Sequence, residues 1–245
     1  MVLLLGYLKV NQVMDSRWVS SRVVTIAKGV ILWLIVFISG LAVNLLVMIL
    51  SGVIILSAIA TQLIFITMSL IIAKITTGGN YTALLGFRRA SPKFIFMILA
   101  ISLPIATSLA CAELLIVKGH GPQLPVQEII ENTILYVVLA LVLAPLCEET
   151  LFRGLLLGYM LNSGVNPWLS IAISAVLFSF LHLIPFSAAP RLQQIFVVSA
   201  ALVLSTIAGY ARYRTHSLVP AMVAHATFNL GGMIASHVVT LALKY

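Results

Sequence analysis

Between Lys28 and Lys74 the chain runs for 45 residues, from Gly29 to Ala73, without a charged side chain. One transmembrane helix takes about 20 residues, so this run holds two, and Ser51-Gly52 is the natural place to divide them. Inside hydrocarbon every backbone N–H and C=O must find a partner within the protein, which leaves only helices and closed barrels. Barrel strands would appear as segments of about ten residues with alternating polarity. The chain shows long unbroken apolar runs instead. The fold class expected is therefore all-α, a polytopic transmembrane helix bundle.

The composition agrees. Hydrophobic residues make up 62% of the 245, and charged residues 8%, where a soluble domain carries about 25%. Reading on, spans are expected at 29–51, 52–73, 94–117, 129–161, 168–185, 192–211 and 218–241. A further segment at 1–20 raises the count from seven to eight. Residues 1–28 carry Lys9, Arg17, Arg22 and Lys28 and are expected to form a cytoplasmic or interfacial N-terminal segment. Residues 29–245 form a single transmembrane domain with no internal repeat. Ten of the fourteen Lys and Arg residues fall in segments 1–28, 74–93 and 212–214, against three at Lys118, Arg191 and Lys244. That asymmetry orients the N-terminus toward the cytoplasm. The basic residues form no single patch, which argues against a nucleic-acid partner. The N-terminus lacks the pattern of a cleaved signal peptide. Cys111 and Cys147 lie in apolar runs, without metal-binding spacing or a disulfide framework.

Against this background a few polar residues stand out. Two of the six acids, Glu148 and Glu149, are adjacent in the middle of an apolar stretch, with Arg153 four residues on. On insertion scales an ionised group at membrane depth costs roughly 2.5–3.5 kcal/mol. Helical spacing lets Glu149 pair with Arg153 and turns Glu148 about 100° away. Pro145 removes a donor just before the acids and is expected to bend the helix. His182 follows Phe178 by four residues in the fifth span, and Asn229 follows His225 by four in the seventh. Counted from the nearest turn at about 1.5 Å per residue, Glu148, His182 and Asn229 all lie about 20 Å deep, and His225 about 13 Å.

Each residue also has a plain structural reading. Glu149–Arg153 could be a buried ion pair that fixes packing. His182, and His225 with Asn229, could be interhelical hydrogen-bonding groups. Gly154 and Gly158 read as a close helix-packing face. Glu113 is expected near a span end, at the interface or paired with Lys118. Together, however, the polar residues match a chemistry. A glutamate and a histidine around one water can act as base and polariser, and a histidine with an asparagine can donate to an oxyanion. Alternatively Glu148, His182 and His225 form a zinc set with an open position for water. Either arrangement fits amide hydrolysis near the bilayer. HExxH, GxSxG, GxGxxG and P-loop motifs are absent. A proton-coupled transporter would need polar residues leading to both faces, whereas these cluster at one depth.

Glu148-Glu149-xxx-Arg153, Phe178-xxx-His182 and His225-xxx-Asn229, in that order, resemble the three motifs of the CPBP family, the CAAX-protease and bacteriocin-processing intramembrane endopeptidases. The resemblance covers about residues 130–235, and Gly86-Phe87-Arg88-Arg89 is similar to a weaker upstream feature. It implies a helix bundle around a conical intramembrane cavity open toward the cytosol. It implies that Glu148 and His182 activate water, that His225 and Asn229 stabilise the oxyanion, and that Glu149 and Arg153 support the site. Both zinc-dependent and metal-free, glutamate-dependent mechanisms belong to that picture. The expected partner is a membrane protein or peptide substrate within the lipid bilayer, and the expected location is the cell membrane of a prokaryote. Eukaryotic members trim prenylated CAAX proteins, while many bacterial members are linked to peptide maturation, bacteriocin immunity or partner regulation. A catalytically silent, partner-binding protein on the same fold is the alternative.

Overall fold

The computed structural model describes residues 2–117 and 133–242, and every described element is helical. Lys118, Glu128, Glu131 and Lys244 lie outside the described residues. We number the helices α1 (Val2–Ser51), α2 (Ile54–Thr77), α3 (Tyr81–Leu85), α4 (Pro92–Val117), α5 (133–162), α6 (Pro167–Leu181), α7 (Arg191–Thr215) and α8 (Val219–Ala242). The division at Ser51-Gly52 falls where expected, with Gly52 at φ 66° supplying the left-handed residue between α1 and α2. α1 runs on without a break across residue 28.

Among the described residues, five helices are long and apolar enough to cross a membrane: the 21–51 part of α1, then α2, α4, α5 and α7. The two remaining expected spans are the ones that carry His182 and the His225–Asn229 pair. α6 has 15 residues, about 22 Å of rise against a hydrocarbon core of about 30 Å. α8 has the length, at 24 residues, but its histidines, Asn229 and Thr227 dilute its apolar character. The expected fifth span stops four residues early, because Pro185 disfavours helical backbone at Ile184 and helix geometry is lost from His182 on. Its start is sharply set: the Asn166 side chain accepts hydrogen bonds from the backbone N–H groups of Trp168 and Leu169 (2.9 and 3.2 Å), with Pro167 in the first turn.

α5 is the axis. Its residues 149–158 are all buried, the signature of a helix surrounded by others. α1, α2, α3, α6, α7 and α8 all pack on it. Many large apolar side chains of α1, α2 and α4 are exposed, as expected of a surface that meets lipid rather than water. Gly154 and Gly158 do form the packing face expected of them. A Cβ on Gly158 would collide with the Leu84 carbonyl oxygen, and one on Gly154 would stand 3.1 Å from Leu85. The short helix α3 can lie there only because both positions lack a side chain. Gly86 then ends α3 at φ 81°, and its carbonyl accepts from Leu218 N–H at 2.8 Å. The Ser217 hydroxyl donates to the Arg88 carbonyl, and Arg212 donates to that of Leu84 at 2.9 Å. The Gly86–Arg88 stretch is thus pinned to the α7–α8 turn.

α4 lies along α8, and adjacent glycines in α8 meet opposite surroundings. A Cβ on Gly231 would lie 2.6 Å from Ala106 Cβ and 2.9 Å from Thr107 N, whereas one on Gly232 has open space for at least 4 Å. Gly231→Ala should cost about 1–3 kcal/mol of stability through overpacking. Gly232→Ala should be neutral or stabilise by up to about 1 kcal/mol. Thermal unfolding of the two variants in detergent checks this; equal melting temperatures would contradict the close α4–α8 approach.

Candidate active site

The helical spacing of Glu149 and Arg153 is realised as an ion pair. Arg153 Nη1 donates to Glu149 Oε1 at 2.9 Å, and both side chains are 0% exposed. The same Oε1 receives His225 Nδ1 at 2.9 Å, which brings α8 onto α5. The other end of the guanidinium donates to the Ser205 hydroxyl of α7. Its Cζ lies 4.5 Å from the centre of the Phe178 ring of α6, within cation–π range. One arginine thereby gathers four helices.

Glu148 faces elsewhere and keeps 20% of its side chain exposed. Its Oε1 accepts from Gln62 Nε2 of α2 at 2.8 Å, and its Oε2 lies 3.9 Å from His225 Nε2. The two adjacent carboxylates therefore hold the two nitrogens of one imidazole from different sides, Glu149 through a hydrogen bond and Glu148 at longer range.

His182 joins through Phe178. Its Nδ1 lies 2.9 Å from the Phe178 carbonyl. A carbonyl can only accept, so Nδ1 carries a proton, and in the neutral ring Nε2 keeps its lone pair. The Phe178 ring sits 4.6 Å from that of His182 and stands edge-on to that of His225 at 5.5 Å. His182 is within electrostatic reach of Glu148, His225 and Arg153. Because α6 ends at Leu181, His182 is set on an open helix end rather than on a helix flank.

Asn229 does something the spacing did not indicate. Its Nδ2 donates to the Ala140 carbonyl of α5 at 2.7 Å. Residues 139–143 are π-helical, and the Ala144 N–H bonds Leu139 instead of Ala140. The next N–H in line would be that of residue 145, which is proline and has none. Ala140 is left without a donor from its own helix, and Asn229 supplies one. Pro145, expected to bend the helix, is absorbed by this π turn; a second π segment, Thr150–Leu156, follows the acids. Such segments are frequent at functional sites.

The structure thus brings Glu148, Glu149, Arg153 and His225 into direct contact or near contact, sets His182 beside them through Phe178, and turns one Asn229 N–H away to α5. Sequence reasoning missed Gln62 and Ser205. The available signal for Gln62 was a lone amide in a charge-free span, and Ser205 had none beyond being a hydroxyl in an apolar helix. Glu113 is bonded by Gln193 of α7 at 3.2 Å, a partner not expected. Among the described residues no three His, Cys, Asp or Glu side chains converge closely enough to hold a metal ion.

The buried pair has a measurable signature. Arg153→Met leaves Glu149 uncompensated and should cost about 3–5 kcal/mol. Glu149→Gln combined with Arg153→Met should recover part of that loss, because no lone charge remains. Melting temperatures of wild type, both single variants and the double variant check this; strict additivity would contradict a direct interaction.

Residues 130–231 match the family model described as type II CAAX prenyl endopeptidase Rce1-like. No curated protein and no solved structure matches the chain.

Proposed function

With residues 130–231 matching the type II CAAX prenyl endopeptidase Rce1-like family model, we propose that this integral membrane protein is an endopeptidase that hydrolyses a peptide bond of a membrane-associated protein or peptide with a water activated by Glu148. One observation carries the reading. Of two adjacent carboxylates, Glu149 is fully buried and committed to Arg153 and His225, while Glu148 stays partly exposed beside the same histidine. A purely structural ion pair needs only the first.

The steps follow from the hydrogen bonds. Glu148 takes a proton from water, whose other lone-pair contact is His182 Nε2, and the hydroxide adds to the substrate carbonyl carbon. The oxyanion formed accepts from His225 Nε2–H when that ring is doubly protonated, its Nδ1–H being held by Glu149. Asn229 contributes through its second N–H, since the first is spent on Ala140. Glu148 then hands its proton to the leaving amine as the C–N bond breaks. Glu149 and Arg153 act by positioning His225. Gln62 positions Glu148: an amide donor on Oε1 fixes the carboxylate and leaves Oε2 toward the histidine.

Glu148→Gln should abolish cleavage while leaving a folded protein, because the amide keeps the shape and loses the base. Comparative mass spectrometry of membrane peptides from cells with wild type or Glu148→Gln reads this directly. Peptides generated equally by both would overturn the assignment of Glu148. Zinc content of the active preparation bears on the metal alternative: stoichiometric metal required for turnover would move the water from Glu148 to the ion. Gln62→Leu should lower kcat by up to about 100-fold through misplacement of the base with KM little changed. An unchanged kcat would remove Gln62 from the site.

A further inference from the structure

The charge-free run from Gly29 to Ala73 ends at Lys28 on α1 and at Lys74 on α2. Asn44 donates to Thr61 at 3.0 Å, and a Cβ on Gly40 would collide with Phe65. Pairing of 44 with 61 and of 40 with 65 makes α1 and α2 antiparallel. It sets Lys28 and Lys74 at one end of the bundle, within about 5 Å of each other in depth. A lysine whose backbone lies below the interface still reaches it with its long stem. The two positions therefore mark the edge of the hydrocarbon or lie just inside it.

From that edge, three contacts measure how deep Glu148 lies. A Cβ on Gly29, next to Lys28, would stand 3.2 Å from the Tyr159 ring of α5. From Tyr159 back to Glu148 the helix covers about 16 Å. Trp33 of α1 meets Phe152 of α5 with ring centroids 5.7 Å apart. The steps from Lys28 to Trp33 and from Phe152 to Glu148 together cover about 14 Å. On α2, Gln62 bonds Glu148 at 2.8 Å, and the helix from Lys74 to Gln62 covers about 18 Å. Half of a hydrocarbon core of about 30 Å is about 15 Å. All three measures set the carboxylate near the middle of the bilayer. Beside Gln62 on α2, Leu63 is 49% exposed, so an outward-facing apolar side chain lies next to the residue that holds the base.

We infer that the substrate is a membrane-spanning segment, cut inside its apolar stretch about 9–12 residues from its basic end. The inference rests on the peptidase reading above and adds where in the substrate the bond lies. Substrate and enzyme obey the same charge rule, so their basic ends face the same side of the membrane. Depths of about 14–18 Å then correspond to about 9–12 residues of substrate helix, at about 1.5 Å each. A tail hanging from the headgroup region would have to draw about five extended residues into the hydrocarbon to reach Glu148. Their N–H and C=O groups would leave water without gaining partners. A spanning segment already holds its bonds at that depth with its backbone paired. A glycine or proline near its middle weakens the helix locally and frees a bond for attack. Water adds across that C–N bond, giving one new carboxyl terminus and one new amino terminus within the apolar stretch.

Mass spectrometry of peptide termini in membranes of cells carrying the full wild-type chain or Glu148→Gln reads the position of the cut. Termini that depend on the wild type should fall inside apolar spans, about 9–12 residues from the flanking Lys or Arg. Wild-type-dependent termini in loops or C-terminal tails would overturn the inference and leave the peptidase reading standing. Identical termini in both cells would remove the peptidase reading, and the inference with it. A second measurement separates depth from sequence. Four leucines inserted between the basic end and the cut of a substrate found this way push the original bond about 6 Å deeper. Cleavage at that bond should fall at least about tenfold, and any new cut should lie four residues nearer the basic end. Undiminished cleavage at the original bond would show recognition by sequence alone and would overturn the inference.

Discussion

A guanidinium that no solvent reaches must find its partners within the protein, and the rest of this bundle supplies them to both terminal nitrogens of Arg153, leaving Nε without one. Arg153 takes a carboxylate from its own helix, a hydroxyl from α7 and an aromatic face from α6. The carboxylate passes the constraint on to α8 by holding His225 Nδ1. Leaving any of these groups out would strand a buried charge, which is far costlier than the pair is stabilising. The pair therefore contributes specificity of assembly more than net stability. Its chemical product is a histidine whose second nitrogen is aimed at Glu148.

Much of this was legible in the sequence, for reasons that can be named. A helix presents residues four apart on one face, so Glu149–Arg153, Phe178–His182 and His225–Asn229 announced themselves as units, and counting from the turns gave them similar depth. The eventual partners of those units were less accessible. Gln62 meets Glu148 across 86 positions of chain, and no periodicity encodes which face of α2 looks at α5. Ser205 is one hydroxyl among several in apolar helices. The π turns depend on hydrogen-bond register, which Pro145 hints at without specifying. Among the described residues the seven expected segments all correspond to helices, of which five have the length and composition to cross a membrane. The two that fall short are shortened or made polar by the site they carry.

Charge in this protein is divided by depth. The buried acids, with one arginine and their histidines, occupy the middle of α5 and its neighbours. Three arginines and a histidine line a cavity where α5 meets α6. α7 links the two levels, because Ser205 and Arg212 are seven residues apart and so lie near one face of the helix. The Gly86–Arg88 stretch, bonded to the α7–α8 turn, closes the basic end over the Gly154–Gly158 face of α5.

The bond from Asn229 to Ala140 bears on the order in which such a protein can be completed. A carbonyl in the middle of α5 has no donor from its own helix, and the group that satisfies it lies 89 residues further along the chain. In a chain made from the N-terminus, α5 enters the bilayer with that acceptor unmet and with its acids still lacking His225. Both defects are cured by the same helix, the last one synthesised among the described elements. A nascent chain thus carries Glu148 and Glu149 without the histidine they face, and the cluster is completed only with the arrival of α8.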